Sequence, residues 1–223
     1  MNRQTKATQI DAAAGAAETL WRAAFLILSG GFQDAYTYVC RGGVFANAQT
    51  GNVVLMSAKL MHGEWRAAVT YLIPLAAFFT GTFAAETIRR RLEKSGRHRV
   101  NRAVLAVEIA LLFCVGFLPQ QENALANALV SLACAAQVQT FQTVCGYPYA
   151  STMCIGNLRS GAEAFTAWLH NRETSELRRA GTYLAILLLF LLGAAAGSFC
   201  SQWLGIRAVW VCCLLLMPRL LLR

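Results

Sequence analysis

Apolar stretches of membrane-spanning length recur along the chain. Six stand out: Trp21 to Cys40, Tyr71 to Ile88, Val100 to Leu118, Ala124 to Gly146, Thr182 to Leu204 and Ala208 to Leu222. Each is near the ~17–25 residues that a helix needs to cross hydrocarbon. One run breaks the pattern. Between the first and second stretches, FANAQTGNVVL (45–55) gathers Asn47, Gln49, Thr50 and Asn52 around Gly51. Residues 1–20 contain no apolar core of the signal-peptide kind and are read as a short cytoplasmic lead.

The pattern occurs twice. Sliding the sequence by 105 positions lays YVCRGGVFANAQTGN on TVCGYPYASTMCIGN and matches Val39, Cys40, Gly51 and Asn52 with Val144, Cys145, Gly156 and Asn157. The same offset pairs RAV at 102–104 with RAV at 207–209. TYLIPLAAFFTGTFAA (70–85) lies on TYLAILLLFLLGAAAG (182–197) at an offset of 112, so the second copy carries extra loop residues between these anchors. Each half therefore reads as one spanning helix, a glycine-asparagine segment and two more spanning helices. The units are a lead over 1–20, a first repeat over 21–118 and a second over 119–223.

Composition fixes the setting. With 57% hydrophobic residues, 14% charged and a mean hydropathy of +0.45, the chain has too little polar surface for a soluble domain. A net charge of +9 would suggest nucleic acid as partner in a soluble protein. Here the basic residues fall between spans, where they set orientation, and a nucleic-acid partner is not expected. Seven of the 20 Lys and Arg sit in RRRLEKSGRHRVNR, 89–102. If the two glycine-asparagine segments re-enter without crossing, 16 of the 20 basic residues fall on the side of both termini, against four (Arg41, Lys59, Arg66, Arg207) on the other. If both cross, the same residues divide evenly. The expected fold is thus all-α and integral to the membrane: six transmembrane helices in two inverted three-helix repeats, each with a re-entrant half-helix, and both termini cytoplasmic.

In that architecture a Thr50-Gly51-Asn52 turn starts a half-helix over Val53 to Met61 inside the membrane, and Gly156-Asn157 starts its counterpart. Irregular backbone at that depth must be buried by protein or wetted by water. Glycine permits the turn, Asn or Thr caps free N–H groups, and the exposed helix dipole favours an anion or a polar solute. Asp34 shares a helix face with Gly30, Gly31, Thr37, Tyr38 and Arg41; its repeat counterpart Gln139 lies among small and polar residues with Gln142. The candidate solute-binding set is Asp34, Asn47, Thr50, Gly51, Asn52, Gln139, Gln142, Gly156 and Asn157. An ionisable side chain inside a span points to function, so Asp34 and Glu108 are candidates for proton coupling. The alternatives are that Asp34 pairs with Arg41 or caps the re-entrant loop, and that Glu108 bonds a neighbouring helix. Gly81/Ala85 and Gly193/Gly197 are small-residue stripes for close helix contact, within the chain or in a homo-oligomer.

GGFQDAYTYVCRGGVFANAQTGNVVL, with the later GNL, resembles the YoaK-like family of bacterial multipass membrane proteins, a domain of unknown function. The resemblance runs from about residue 25 to the end and is carried by Gly31, Asp34, Ala35, Gly43, Phe45, Asn47, Thr50, Gly51 and Asn52. The second half departs from it at Ile155, where a Thr before Gly-Asn is usual. The resemblance implies an inner-membrane location and brings no activity.

Catalytic motifs are missing from the sequence, and the eight cysteines and three histidines show no metal-ligand spacing, so neither an enzyme, a cofactor nor a metal site is expected. Two functional classes remain. One is a small transporter for a polar or anionic solute. The other is a membrane protein that transports nothing, such as an assembly partner or sensor.

Overall fold

The computed structural model describes residues 3–91 and 97–221. Among the described residues eight α-helices follow one another: α1 Arg3–Cys40, α2 Gln49–Met61, α3 Trp65–Arg91, α4 Arg97–Val115, α5 Asn123–Thr140, α6 Cys154–Asn171, α7 Thr174–Leu204 and α8 Trp210–Leu221. Between α5 and α6 a short hairpin pairs β1 (Thr143–Val144) with β2 (Tyr147–Pro148) antiparallel. Part of the basic cluster, 92–96, lies outside the described residues.

Several boundaries differ from the sequence reading, and two of them change its picture. Helix α1 begins at Arg3, so the alanine-rich lead continues the first span as helix, in keeping with alanine's propensity. The fourth apolar run is not one helix to Gly146. It stops at Thr140, and the chain reverses through Cys145 (φ 53°) and Gly146 (φ 81°), the pair of positive φ angles that a two-residue hairpin turn requires.

Two helical stretches, Trp65–Arg91 and Thr174–Leu221 (α7, a 3-10 turn and α8), are long and apolar enough to cross a membrane. Their outer faces are open, with Phe79, Phe83, Leu191 and Leu214 all exposed. Helix α5 is the reverse case: it buries Asn127, Ser131, Cys134 and Gln137 among other helices. Its polar residues face protein, which lowers its hydropathy without exposing it.

The helix contacts pair up in the order that the 105-residue sequence offset would pair them. Helix α1 lies along α7, and its counterpart α5 lies along α3; α2 rests on α3 as α6 rests on α7; α4 meets α5 as α8 meets α1; and α4 touches α8. The small-residue stripes carry the two long crossings. A Cβ at Gly197 would stand 2.6 Å from the Phe32 carbonyl oxygen of α1, and one at Gly81 would stand 2.7 Å from the Leu132 carbonyl oxygen of α5. Only glycine allows backbones this close. Both faces are filled from within the chain.

Each end of the bundle is tied by polar contacts. At one end Arg41, fully buried, donates to the carbonyls of Val115 (2.8 Å), Leu118 (2.9 Å) and Pro119 (3.3 Å), to Asn123 Oδ1 (3.3 Å) and to the Tyr36 hydroxyl (2.8 Å). Tyr36 in turn donates to the Ile206 carbonyl at 2.9 Å, linking α1 to the α7–α8 turn. At the other end Gln139 donates to Glu86 at 2.9 Å, Glu86 also accepts from Arg89 and Arg90, and the Arg219 guanidinium lies 5.3 Å from the Phe141 ring centre.

Candidate functional site

The segment after α1 folds back into the bundle. Gly42 (φ 87°) and Gly43 (φ 73°) end the helix in the left-handed region, with the Gly43 amide on the Tyr38 carbonyl. These glycines make the turn that the sequence reading gave to Gly51. Gly51 and Gly156 instead lie in the first turns of α2 and α6, without positive φ. A Cβ at Gly51 would meet the Phe45 ring at 3.1 Å, whereas nothing stands within 4 Å of one at Gly156.

The returning loop is fastened by α1. Asp34 Oδ1 accepts the Asn47 amide at 2.7 Å, with the Ala46 and Ala48 amides also turned toward the carboxyl. Thr37 Oγ1 accepts the Ala46 amide at 3.1 Å. Asp34 stands six residues before the end of α1, so α2 begins ~9 Å down that helix at 1.5 Å per residue. No contact joins Asp34 to Arg41, whose hydrogen-bonding groups tie α1 to the end of α4 and the start of α5. Of the readings open for Asp34, the loop cap matches the geometry and the pair with Arg41 does not.

Asn52 does not cap its own helix. It clamps the loop across seven residues: Oδ1 accepts the Phe45 amide (3.0 Å) and Nδ2 donates to the Phe45 carbonyl (2.7 Å). Asn157 repeats half of this clamp, Nδ2 to the Ala150 carbonyl at 2.8 Å, with the same seven-residue separation. In the second half the loop is held by Gln137, which donates to Ser151 Oγ (2.7 Å) and to the Leu26 carbonyl (3.2 Å). Gln137 stands two residues before Gln139, the position that the duplication pairs with Asp34.

Helices α2 and α6 point their N-termini at one chamber of about 1010 Å³. Asp34 and Asn47 line it with Gln49 and Thr50 from the start of α2. Thr152 and Met153 lead into Cys154, Ile155 and Gly156 from the start of α6. Helix α3 contributes Phe78, Phe79 and Thr82, and α7 contributes Phe190, Ala194 and Ser198. Most of the wall is apolar. Its polar groups are those at the helix ends together with Tyr38, Thr82 and Ser198, and among the described residues no Lys, Arg or His lines it.

Two lining residues turn their polar atoms away from the open space. Asn47 is 5% exposed, its Nδ2 and Oδ1 are buried without a nitrogen or oxygen partner, and its side chain lies within hydrogen-bonding reach of the Cys134 sulfur. Thr152, also 5% exposed, buries a hydroxyl that has no partner. Buried polar groups are nearly always hydrogen-bonded, so the Thr152 hydroxyl is an exception.

A family model described as protein of unknown function (DUF1275) matches residues 22–222. The chain belongs to the DUF1275 family. This agrees with the resemblance to YoaK-like proteins. Neither the curated proteins nor the solved structures provide a match.

Within this DUF1275 chain the expected site residues divide. Asp34, Asn47, Thr50 and Gly156 line the chamber; Gly51, Asn52, Gln139, Gln142 and Asn157 do not. Gln142 is exposed in the second loop, and its carbonyl accepts the Tyr149 amide. Glu108 also lies off the chamber, 1% exposed on α4, with Oε1 accepting from Gln33 at 3.3 Å and Oε2 unpartnered. Gln33 links it onward to Ser29 (2.8 Å) and to the Cys134 thiol (2.7 Å). Sequence reasoning did not single out Thr152 or Gln137. A signal for Thr152 was present, since the 105-residue offset lays it on Asn47.

Proposed function

We propose that the protein is a multipass inner-membrane transporter for a small solute, with six spans in two inverted repeats and both termini in the cytoplasm. The observation that carries this reading is the meeting of the α2 and α6 N-termini at one chamber. Helix ends of this kind present free amides and a positive dipole end to whatever occupies the space between them. Broken helices paired across a repeat interface are the usual substrate sites of inverted-repeat transporters.

Further support comes from the exchange of partners between halves, in which α1 packs on α7 and α5 on α3. The matching Asn52 and Asn157 clamps support it too, because a motif repeated in both sequence and contact belongs to two copies of one unit. In the six-span arrangement the Arg41 cluster marks the outer end of the bundle. The Glu86–Gln139 and Arg219–Phe141 contacts mark the cytoplasmic end, beside the basic residues expected there. The chain performs no chemistry in this reading. It holds a solute between two half-helices and exposes it first to one side and then to the other.

The test is uptake into sealed proteoliposomes across a panel of small anions and neutral metabolites, with and without a pH gradient. Saturable uptake of at least one solute above protein-free vesicles is expected. Flux of none would assign the protein to the non-transporting class.

A further inference from the structure

The chamber lies at the depth of the membrane's middle. Both stretches long enough to cross contribute to its wall, and at ~1.5 Å per residue Phe79 stands ~20 Å from either end of α3 and Phe190 ~22 Å from either end of α7. Half the hydrocarbon layer is only ~15 Å, so both rings fall inside it. At that level the chamber is open. Phe79 is 74% exposed and Ile155 82%, and side chains so uncovered cannot wall a sealed cavity. Phe79 also belongs to the outer stripe of α3, with the exposed Leu72 and Phe83 on the same face. Helices α3 and α6 rest on other partners, α2 and α5 for the first and α7 for the second. What stands outside the opening in a membrane is hydrocarbon.

Four hydroxyls face this space without a partner. Tyr38 and Thr50 are exposed, Thr82 and Ser198 are half-buried, and among the described residues none of the four bonds through its hydroxyl. Other hydroxyls on the same two helices are satisfied locally. Thr80 and Thr87 of α3 donate to the carbonyls of Ala76 and Phe83 (both 2.8 Å), and Thr182 of α7 donates to that of Arg178 (2.9 Å). A helical hydroxyl in hydrocarbon folds back on its own helix in this way because lipid chains give it nothing else to bond. Thr82 and Ser198 depart from that habit, and both line the chamber. The rest of the wall is mostly apolar, with Leu75, Phe78, Phe79, Phe190, Met153 and Ile155. Charge finds no counterpart there, since Asp34 is turned to the loop amides at 46–48 and no cationic side chain among the described residues lines the space. An ion would also have to pass hydrocarbon at the opening.

We infer that the chamber fills sideways from the bilayer, at the opening marked by Phe79 and Ile155, and that its occupant is a neutral, lipid-dissolved molecule whose hydroxyl or carbonyl oxygens bond Tyr38, Thr50, Thr82 and Ser198. This rests on the chamber being the solute site proposed above, and it makes the solute one that partitions into membranes. An apolar chain covers the phenylalanines. The oxygens supply what the four hydroxyls lack.

Two measurements on the full chain in phospholipid vesicles test it. In the first, a nitroxide is attached to Cys154, which lines the chamber and is exposed, in protein carrying Cys114→Ser. Collisions with oxygen, which concentrates in hydrocarbon, should exceed those with a water-soluble nickel chelate several-fold. Preference for the nickel chelate would make the opening aqueous, and shielding from both would mean that protein closes it, such as a second copy of the chain; either overturns the inference. In the second, dodecanol carrying a mid-chain diazirine is photolysed with the unlabelled protein, and modified residues are mapped by mass spectrometry. Labelling of Phe78 and Phe190 should saturate, and it should fall ~10-fold with plain dodecanol at ~10 times its dissociation constant, as simple occupancy requires. Dodecane and dodecanoate should compete far less, and the lipid-facing Leu72 and Phe83 should label without saturation. Tyr38→Phe, Thr82→Val and Ser198→Ala should each weaken labelling at 78 and 190, and Thr82→Ser, which keeps the hydroxyl, should retain it. Labelling there that never saturates, that dodecane or dodecanoate competes equally, or that is indifferent to the hydroxyls overturns the inference. If labelling saturates and proteoliposomes take up no solute, transport fails and the site stands. If a solute is taken up and the chamber does not label saturably, transport stands and the lipid-dissolved solute is wrong.

Discussion

Asp34 and Arg41 share one face of α1 seven residues apart, and their separate partners predict how they respond when both are changed. Asp34→Asn replaces a carboxylate that accepts the Asn47 amide by a neutral group, one of whose faces is a donor pointed at donors. A hydrogen bond to a charged group contributes ~1.5–3 kcal/mol, so the loss at this loop is ~2 kcal/mol. Arg41→Gln removes the donor from the Leu118 carbonyl, while the Val115 and Pro119 carbonyls keep the amides of Leu118 and Glu122. One orphaned carbonyl together with the lost charged bonds amounts to ~3 kcal/mol. The charges stand ~10 Å apart along the helix and attract by up to ~1.7 kcal/mol at an effective dielectric of 20. That attraction is lost in either single variant and only once in the double. The double variant should therefore be less stable than Arg41→Gln by ~2 kcal/mol, the value of the Asp34 loop cap alone. Unfolding in mixed detergent–SDS micelles measures all four proteins. Were Asp34 and Arg41 a buried pair, Arg41→Gln would relieve the unpaired charge left by Asp34→Asn. A double variant as stable as, or more stable than, Arg41→Gln would refute the reasoning.

The loop clamps predict an asymmetry: Asn52→Ala, which frees both polar groups of Phe45, should lower the thermal midpoint more than Asn157→Ala, which frees one carbonyl. Gly197→Val should prevent α1 and α7 from closing and give little folded protein on size-exclusion chromatography. Gly156→Ala, with no atom within 4 Å of the added methyl, should change stability by less than ~0.5 kcal/mol. Thr152→Val removes an unpartnered buried hydroxyl, so it should leave stability unchanged or raise it by ~1 kcal/mol in the same unfolding measurement. A clear loss of stability would mean that the hydroxyl has a partner within the protein.

The all-α character was legible in the sequence because hydrophobic length is a one-dimensional signal. All six apolar stretches contain helix, and the interrupted segments do begin short helices at the chamber. The turns were less legible. Gly51 and Gly156 match in the two copies, yet the reversals are made by Gly42, Gly43, Cys145 and Gly146, since a motif marks equivalence without marking conformation. Helical spacing put Gln139 in the place of Asp34. The second loop is held by Gln137 instead, because loop length decides which turn of α5 its polar atoms reach. Arg41 reads as an interfacial residue by position. It is fully buried, held by carbonyls of the chain between Val115 and Pro119 that no local pattern could assign to it.

The arrangement of the half-helices is the point on which the account turns: if α2 and α6 enter from opposite faces of the membrane, their far ends emerge on opposite sides. Met61→Cys and Asn171→Cys place a thiol at each far end, in proteins whose exposed Cys114 and Cys154 are replaced by Ser. In intact cells treated with a membrane-impermeant maleimide, the thiol at 61 should react from outside. The thiol at 171 should react only after the membrane is opened. Labelling of both positions from the same side would contradict the inverted repeat, and the shared chamber would lose its meaning as a site between two faces.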